Sequence, residues 1–286
     1  MDGTEPSAGA ATSPDAGSKV RTTERERDLR LALKQQKRIV KEVKVAKKQV
    51  ENEYGRLVQQ LQPHDGSPLV LHSSFAAHPV VCRPRTSDLS VYRRILVERE
   101  YAPLDDVPNV DLIVDCGAYV GYSGAYFLTR FPTARLIAVE PNPSNFRSLE
   151  ENLRPYGDRV DLLHAAVWSH PAELVMETVD EGKEHAGRVR ACAEGELPTL
   201  AGFEIATLLK RSGRQRISIL KLDVEGAEQT IFSGDVSWVD SVDVVTIELH
   251  GELPESSPVM HAFEGSFEVV RSGKHIRCRR LREASR

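Results

Sequence analysis

The sequence has few of the features that brace small or exported chains. Its four cysteines, Cys82, Cys116, Cys192 and Cys278, are scattered with no C-x-x-C pair. Neither a disulfide framework nor a zinc ribbon is expected, and a reducing cytoplasm suits the chain best. No apolar run approaches the roughly 18–20 residues that span a bilayer. The opening MDGTEPSAGAATSPDAGS has no basic start and no apolar stretch, so no secretory leader is expected. Aromatics are nearly missing from residues 19–62, where Tyr54 stands alone. That segment therefore offers no base-stacking platform and no deep membrane anchor, and no nucleic-acid partner is expected.

Charge is unevenly divided. Residues 1–18 carry −3, and residues 19–62 carry 13 Lys/Arg against 6 Asp/Glu, or +7. With a chain total of −4, that leaves −8 for residues 63–286. A basic arm precedes an acidic body, and a length of 286 residues suits one α/β domain with an appendage.

Residues 1–22 are small, polar and rich in Pro, Gly, Ser and Thr. Such a segment cannot bury enough surface to offset chain entropy, so a disordered tail is expected. Residues 23–62 read as a basic coiled-coil helix. Spacings of four and three link Leu29, Leu33, Gln36, Val40, Val43, Lys47, Val50, Tyr54, Leu57 and Leu61. That is a heptad seam, weakened at Gln36 and Lys47 and by Gly55 within the helix. A seam alone would leave its apolar side chains in water, so homo-oligomerisation through residues 28–61 is expected. The alternatives are a solvated helix packed on its own domain and peripheral contact of the basic flank with an anionic membrane.

After Pro63, β-rich runs alternate with helical ones. The strands are read at 112–117, 135–140, 161–168, 217–224 and 242–249, with helices near 123–131, 144–153 and 203–211. Alternation of this kind predicts a doubly wound, mostly parallel α/β sheet whose apolar strands are covered on both faces. Residues 267–281, with the turn former Ser272-Gly273, predict a C-terminal antiparallel hairpin added at the sheet edge.

Ligands on such sheets bind beyond the carboxyl ends of the strands, and four strand ends carry chemistry. The first is Asp115-Cys-Gly117-Ala-Tyr-Val-Gly121-Tyr-Ser123-Gly124. Its glycines would let backbone approach a ligand, although a tight structural turn explains them equally well. Asp115 would accept from a ligand ammonium or orient the turn. The dinucleotide G-x-G-x-x-G spacing is absent, which favours a nucleoside without a pyrophosphate. The second is Glu140, followed by Pro141-Asn142-Pro143, an acid placed to take ribose hydroxyls. The third is Lys221-Leu-Asp223-Val-Glu225-Gly226-Ala-Glu228, whose alternation puts Lys221, Asp223 and Glu225 on one side. Three clustered acids need a cation, a donor or a helix end nearby. A divalent metal is the minority reading, since nothing fixes a ligand geometry, and no metal is assigned. The fourth is Glu248-Leu-His250, where His250 becomes the general-base candidate if its strand lies beside that of Asp223.

These pieces, in this order, resemble the FkbM family of S-adenosylmethionine-dependent methyltransferases. The likeness lies in VDCGAYVGYSG, AVEPNPSNFRSLEENL, HAAVWS, ISILKLDVEGAEQTIF and VTIELHG, preceded by TSDLSVYRRILVEREY, and covers about residues 80–282. It implies a seven-stranded, Rossmann-like class I methyltransferase domain over residues 63–286, with S-adenosyl-L-methionine as cofactor. By the same resemblance the loop of Asp115, Gly117, Ala118, Tyr119, Gly121 and Ser123 would hold the methionine and ribose. Glu140, with Pro141 and Asn142, would take the ribose hydroxyls, and Ala165 and Ala166 would flank the adenine. Asp223 and Glu225 would face the sulfonium and the acceptor, and catalysis would fall to Asp223, Glu225 and His250.

The expected reaction is O-methylation of a sugar, glycan or natural-product hydroxyl. Tyr92, Tyr101, Tyr119 and Tyr122 suit a sugar face, though Tyr92 also reads as core. Residues 171–202 depart from the pattern, in a connection that often shapes the acceptor pocket in such enzymes. The alternatives are a non-catalytic coiled-coil scaffold and a nicotinamide-dependent oxidoreductase, the latter disfavoured by the missing glycine fingerprint.

Overall fold

Short runs of β-branched and leucine side chains set the strands of the body, and their burial shows which runs lie innermost. In this computed structural model the described residues are 26–27, 29–45, 48, 65–178, 187–250 and 257–281. Contacts divide the chain into two units, Met1–Gln62 and Pro63–Arg286.

In the first unit, residues 29–45 form a helix, α1. Its seam side chains are open, Leu29 being 74% and Val43 59% exposed, with Leu33 and Val40 also exposed. The expected tail 1–22 and the seam positions Lys47, Val50, Tyr54, Leu57 and Leu61 lie outside the described residues.

The second unit begins with β1 (Leu69–Leu71) and β2 (Val80–Cys82), paired antiparallel. A short helix, α2 (Asp88–Tyr92), continues into a π-helical turn over Arg93–Val97. Then come β3 (Leu112–Cys116), α3 (Tyr122–Arg130), β4 (Arg135–Val139), α4 (Pro143–Leu153) and β5 (Val160–Leu163). A small four-stranded sheet follows, from β6 (Ala166–Val167), β7 (Ala172–Thr178), β8 (Gly187–Ala191) and β9 (Leu200–Phe203). The chain then returns through α5 (Ile205–Ser212), β10 (Ile217–Leu222), α6 (Glu228–Ile231), β11 (Val242–Glu248), α7 (Pro258–His261), β12 (Phe267–Ser272) and β13 (His275–Arg280).

The main sheet has seven strands in the order β12-β13-β11-β10-β3-β4-β5, and only β13 runs against the rest. The strand order reverses between β3 and β10, which pair in parallel. Their alternate side chains enter two cores. Ile113 and Ile219 join Phe127, Leu149 and Leu153 on one face. Val114, Leu220 and Leu222 join Leu208, Phe232 and Phe263 on the other. The domain is a doubly wound, mostly parallel, Rossmann-like α/β sheet with one antiparallel strand, as the sequence predicts. All four cysteines are unbridged, and no described helix is long and apolar enough to cross a membrane.

One sequence reading needs correction. The single strand expected over 161–168 is two: β5 ends at Leu163, and β6 pairs with β9 in the small sheet. The break falls at His164, whose Nε2 lies 3.0 Å from the Pro141 carbonyl oxygen and whose ring packs on Phe146. The C-terminal hairpin stands at the sheet edge as expected, with β13 paired to β11 and β12 outermost. Burial decides this: β13 brings fully buried Ile276 and Cys278, whereas β12 buries only Phe267.

Gly121 shows how tightly α3 meets α4. It caps α3 with a left-handed φ of 89°, and a Cβ there would lie 2.9 Å from Leu149 Cδ1 and 3.1 Å from Leu153 Cγ. Gly121→Ala should therefore cost about 2–4 kcal/mol, combining a left-handed alanine with overpacking. Thermal unfolding checks this, and the Gly121→Ala, Leu149→Ala double variant should lose less than the sum of the two single losses.

Candidate active site

A cleft of about 1020 Å³, counting space open to solvent, lies over the carboxyl ends of the central strands. Its floor rests on a buried ion pair. Asp115 of β3 and Lys221 of β10 stand opposite one another across the parallel pair. Lys221 Nζ lies 2.9 Å from Asp115 Oδ1 and donates to the Gly117 carbonyl at 2.9 Å. Ser123 Oγ donates to Asp115 Oδ2 at 2.5 Å. Burial would strip the Lys221 proton, but the adjacent Asp115 carboxylate outweighs it and keeps the lysine charged.

This arrangement corrects the expectation that Asp115 meets a ligand. Its exposure is 0%, its oxygens face Lys221 and Ser123, and it is not among the residues lining the cleft. Asp115 orients the glycine loop from below. The glycines need a similar correction. A Cβ on Gly117 would fall 1.7 Å from the Asp223 carbonyl oxygen, and one on Gly121 would strike α4. Both answer to protein packing, and only Gly117 also lines the cleft. Ala118, Tyr119 and Ser123 line it as well.

Glu140, just past β4, is 5% exposed yet lines the cleft. Its Oε2 accepts from the Tyr119 N–H at 2.9 Å. Its Oε1 accepts from the Asn142 N–H at 2.9 Å and from Asn145 Nδ2 at 3.2 Å. Asn142 in turn caps α4, accepting from the Ser144 and Asn145 N–H groups, with Pro143 at the first helical position. Burial pushes the Glu140 carboxyl up to about 7 against the pull of these donors. Pro141, Asn142 and Ala166 also line the cleft. Ala165 does not: it is buried in the core beneath Val167 and Leu163.

The far end of the cleft is acidic. Asp223, Glu225 and Lys221 all line it, but strand alternation explains only part of this. β10 stops at Leu222, and Glu225 reaches the cleft through a turn in which it adopts φ 48° and Gly226 φ 97°. A left-handed glutamate is strained, a feature that concentrates at working sites. Burial pushes Asp223 up to about 6, with Lys221 drawing it down and Glu248 raising it.

β11 does lie beside β10, so His250 stands next to Asp223. Its Nδ1 lies 2.8 Å from Glu228 Oε1, and its Nε2 lies 3.7 Å from Asp223 and 3.5 Å from Glu225. The bond to Glu228 raises His250 above the ordinary imidazole value despite partial burial. His250 is not among the residues lining the cleft. Its surroundings favour an imidazolium that braces three acids.

Arg94 was not singled out as a site residue in the sequence, yet it lines the cleft. It lies 3.0 Å from Glu100, 3.3 Å from Glu248 and 4.0 Å from Asp223. Two trios bring ligand-type atoms within 4.8 Å of one another, Asp223–Glu225–His250 and Glu100–Glu248–His275. In each, a side chain that is or can become cationic already faces the acids: His250 in the first, Arg94 and His275 in the second.

The remaining walls come from outside the main sheet. Ser87, Val91, Ile95 and Tyr101 approach from the segment around α2, and Met176, Gly187 and Val189 from the β7–β8 hairpin. Tyr101, Tyr119 and Tyr122 line the cleft. Tyr92 is core: it packs edge-on against Tyr122 and donates to the His72 carbonyl. The unpatterned 171–202 stretch thus supplies a wall that no motif announced. Only its Met and Val among polar residues hinted at a covered face.

Residues 115–271, more than half of the chain, match the model of the Methyltransferase FkbM domain. Curated relatives agree. Methyltransferase 1 of Beauveria bassiana is 23% identical over 198 residues, covering 56% of this chain and 72% of that protein. Methyltransferase sdnD of Sordaria araneosa is 24% identical over 216 residues, covering 63% and 82%. Hexuronic acid methyltransferase AglP of Haloferax volcanii is 25% identical over 147 residues, covering 51% and 59%. With the reversal of strand order beneath an acid-lined cleft, this match makes the chain a member of the FkbM family of methyltransferases.

Proposed function

We propose that the chain transfers a methyl group from S-adenosyl-L-methionine to a hydroxyl of a sugar, glycan or related polyhydroxylated natural product. The observation that carries the reading is Glu140, a carboxylate held by three N–H donors just past a strand end and lining the cleft. A vicinal diol such as a ribose fits that acceptor pair. Ala166 and Val167 with Met176 and Val189 offer apolar faces suited to a purine, and Gly117 to Tyr119 a backbone cradle. The donor would supply an already activated methyl group. The chain then needs to align an acceptor and take its proton. Asp223, raised to about 6 and lining the cleft, is the group for that proton. His250, held by Glu228, steadies it and is not itself the base. The hexuronic acid named for the Haloferax relative and the acceptor-side Arg94 both support a sugar acceptor.

We also infer that copies of the chain associate through the helical arm, since the α1 seam leaves Leu29, Leu33, Val40 and Val43 in water.

Titration calorimetry with S-adenosylhomocysteine tests the nucleoside reading: uptake is expected, and none would end it. Glu140→Gln should weaken that binding at least tenfold. The same variant has a pH signature in the ligand-free protein. The folded chain holds the Glu140 proton more tightly than the unfolded chain does, since burial moves it from 4.5 to about 7. Ionisation therefore drains stability as pH rises across that interval, by roughly 3 kcal/mol in all at about 1.4 kcal/mol per unit. Glu140→Gln should gain on the parent by about that amount between pH 4.5 and pH 8 in paired denaturant melts.

For the acceptor, labelled-methyl transfer should be screened over neutral sugars and hexuronic acids. A base-stable methyl ether supports hydroxyl transfer, and a base-labile ester contradicts it. On the acceptor so found, Asp223→Asn should lower kcat by about 10²–10⁴ while leaving S-adenosylhomocysteine affinity within a few fold. For the arm, light scattering on the full chain should give an oligomer that Val40→Lys dissociates; a monomeric parent would remove that inference.

A further inference from the structure

The Glu140 carboxylate belongs to a closed ring of hydrogen bonds that runs outside the cleft and back. Arg83 Nη2 donates to Asn145 Oδ1 at 3.0 Å, and Asn145 Nδ2 donates to Glu140 Oε1 at 3.2 Å. Glu140 Oε2 accepts from the Tyr119 N–H at 2.9 Å, and the Tyr119 hydroxyl donates to Asp88 Oδ1 at 2.7 Å. Asp88 closes the circuit by accepting from Arg83 Nη2 at 2.8 Å and from Arg83 Nε at 2.9 Å. The Arg83 backbone N–H adds a third bond to Asp88 at 2.8 Å. A planar guanidinium fork on a carboxylate sets direction as well as distance.

Asp88 is fully buried, and neither it nor Arg83 lines the cleft. They hold groups that do. Through Asn145 they fix one oxygen of Glu140, and through the Tyr119 side chain they fix the peptide that holds the other. Tyr119 sits at φ 53°, a conformation that a tyrosine keeps only when its surroundings impose it. The hydroxyl bond to Asp88 and a 2.8 Å contact with Ser87 Oγ are two such restraints.

We propose that Asp88 and Arg83 are positioning residues for nucleoside binding, which aim the Glu140 carboxylate through this ring and couple its occupancy to the α2 segment. The proposal rests on the reading that a ribose meets Glu140. That segment also carries Ser87, Val91, Arg94, Ile95 and Tyr101 into the cleft. A nucleoside seated on Glu140 tightens the ring and so orders the wall that meets the acceptor. Cofactor binding then favours acceptor binding, and by linkage the reverse.

The test uses the full chain, with S-adenosylhomocysteine as probe and calorimetry as readout. Tyr119→Phe removes only the hydroxyl link, and Asp88→Asn removes the carboxylate that anchors the ring. Each should weaken binding at least fivefold in the parent, yet change it less than twofold when Glu140 is already Gln, because the ring then has no carboxylate to aim. Equal losses in both backgrounds, or no loss in the parent, would overturn the positioning role. If Asp88→Asn does not fold, Tyr119→Phe carries the same comparison alone. A parent that fails to take up the probe would remove the nucleoside reading, and this proposal with it. In hydrogen exchange, the probe should slow amides of residues 83–101 at least threefold in the parent and not in Tyr119→Phe; equal slowing in both proteins would also overturn the coupling.

Discussion

A lysine and an aspartate facing each other across β3 and β10, both almost wholly inside the protein, fix the geometry on which the cleft depends. An isolated charge there would be untenable, and the two satisfy each other at 2.9 Å. Removing either partner would strand the other in a low-dielectric interior. The pair stands where the strand order reverses, the point at which flanking helices diverge and leave a crevice. Because Lys221 also grips the Gly117 carbonyl, the same interaction that welds the two halves of the sheet also sets the height of the glycine loop. Stability and site geometry share one set of atoms.

Above that floor the cleft is electrically graded. Glu140 at one end is an acid raised by burial but held by amide donors. At the other end Asp223, Glu225 and Glu228 crowd around His250, with Arg94 between Asp223, Glu100 and Glu248. The acids outnumber the bases that face them, so this end of the cleft favours a ligand that brings positive charge. On the proposed function, a sulfonium donor would do so until its methyl group leaves. Such carboxylates strengthen binding of the charged form, and their loosened hold afterwards favours release of the neutral product.

What the sequence disclosed and what it concealed divide along a physical line. The sheet was legible because continuous apolar runs have few alternatives to a doubly covered strand. Glu140 was legible because an acid ending such a run, followed by two prolines, has a fixed position. Asp115 was misjudged because its partner, Lys221, lies in another strand, and nothing local reports that both are inside. Gly117 and Gly121 could be read as making room for a ligand or as a tight turn, and only the fold shows that Asp223 and α4 fill that room. Arg94 stayed hidden among the charges of a short helical segment whose placement depends on tertiary packing. Asp88 carried no local signal, since only the fold brings Arg83, Tyr119 and Asn145 together around it. His250 was legible at its strand end, but its Nδ1 partner Glu228 comes from α6, and nothing near His250 in the sequence reports that pairing.

The β7–β8 hairpin shares no strand pairing with the main sheet among the described residues, yet Met176, Gly187 and Val189 from it close one flank of the cleft. Recognition on that flank is thereby uncoupled from the architecture underneath. Lengthening, trimming or recolouring the ribbon changes the shape of the chamber while leaving the central strands and their ion pair untouched. A lineage built this way can explore new clientele at little structural risk, because the part that varies and the part that must not vary are made from different pieces of chain.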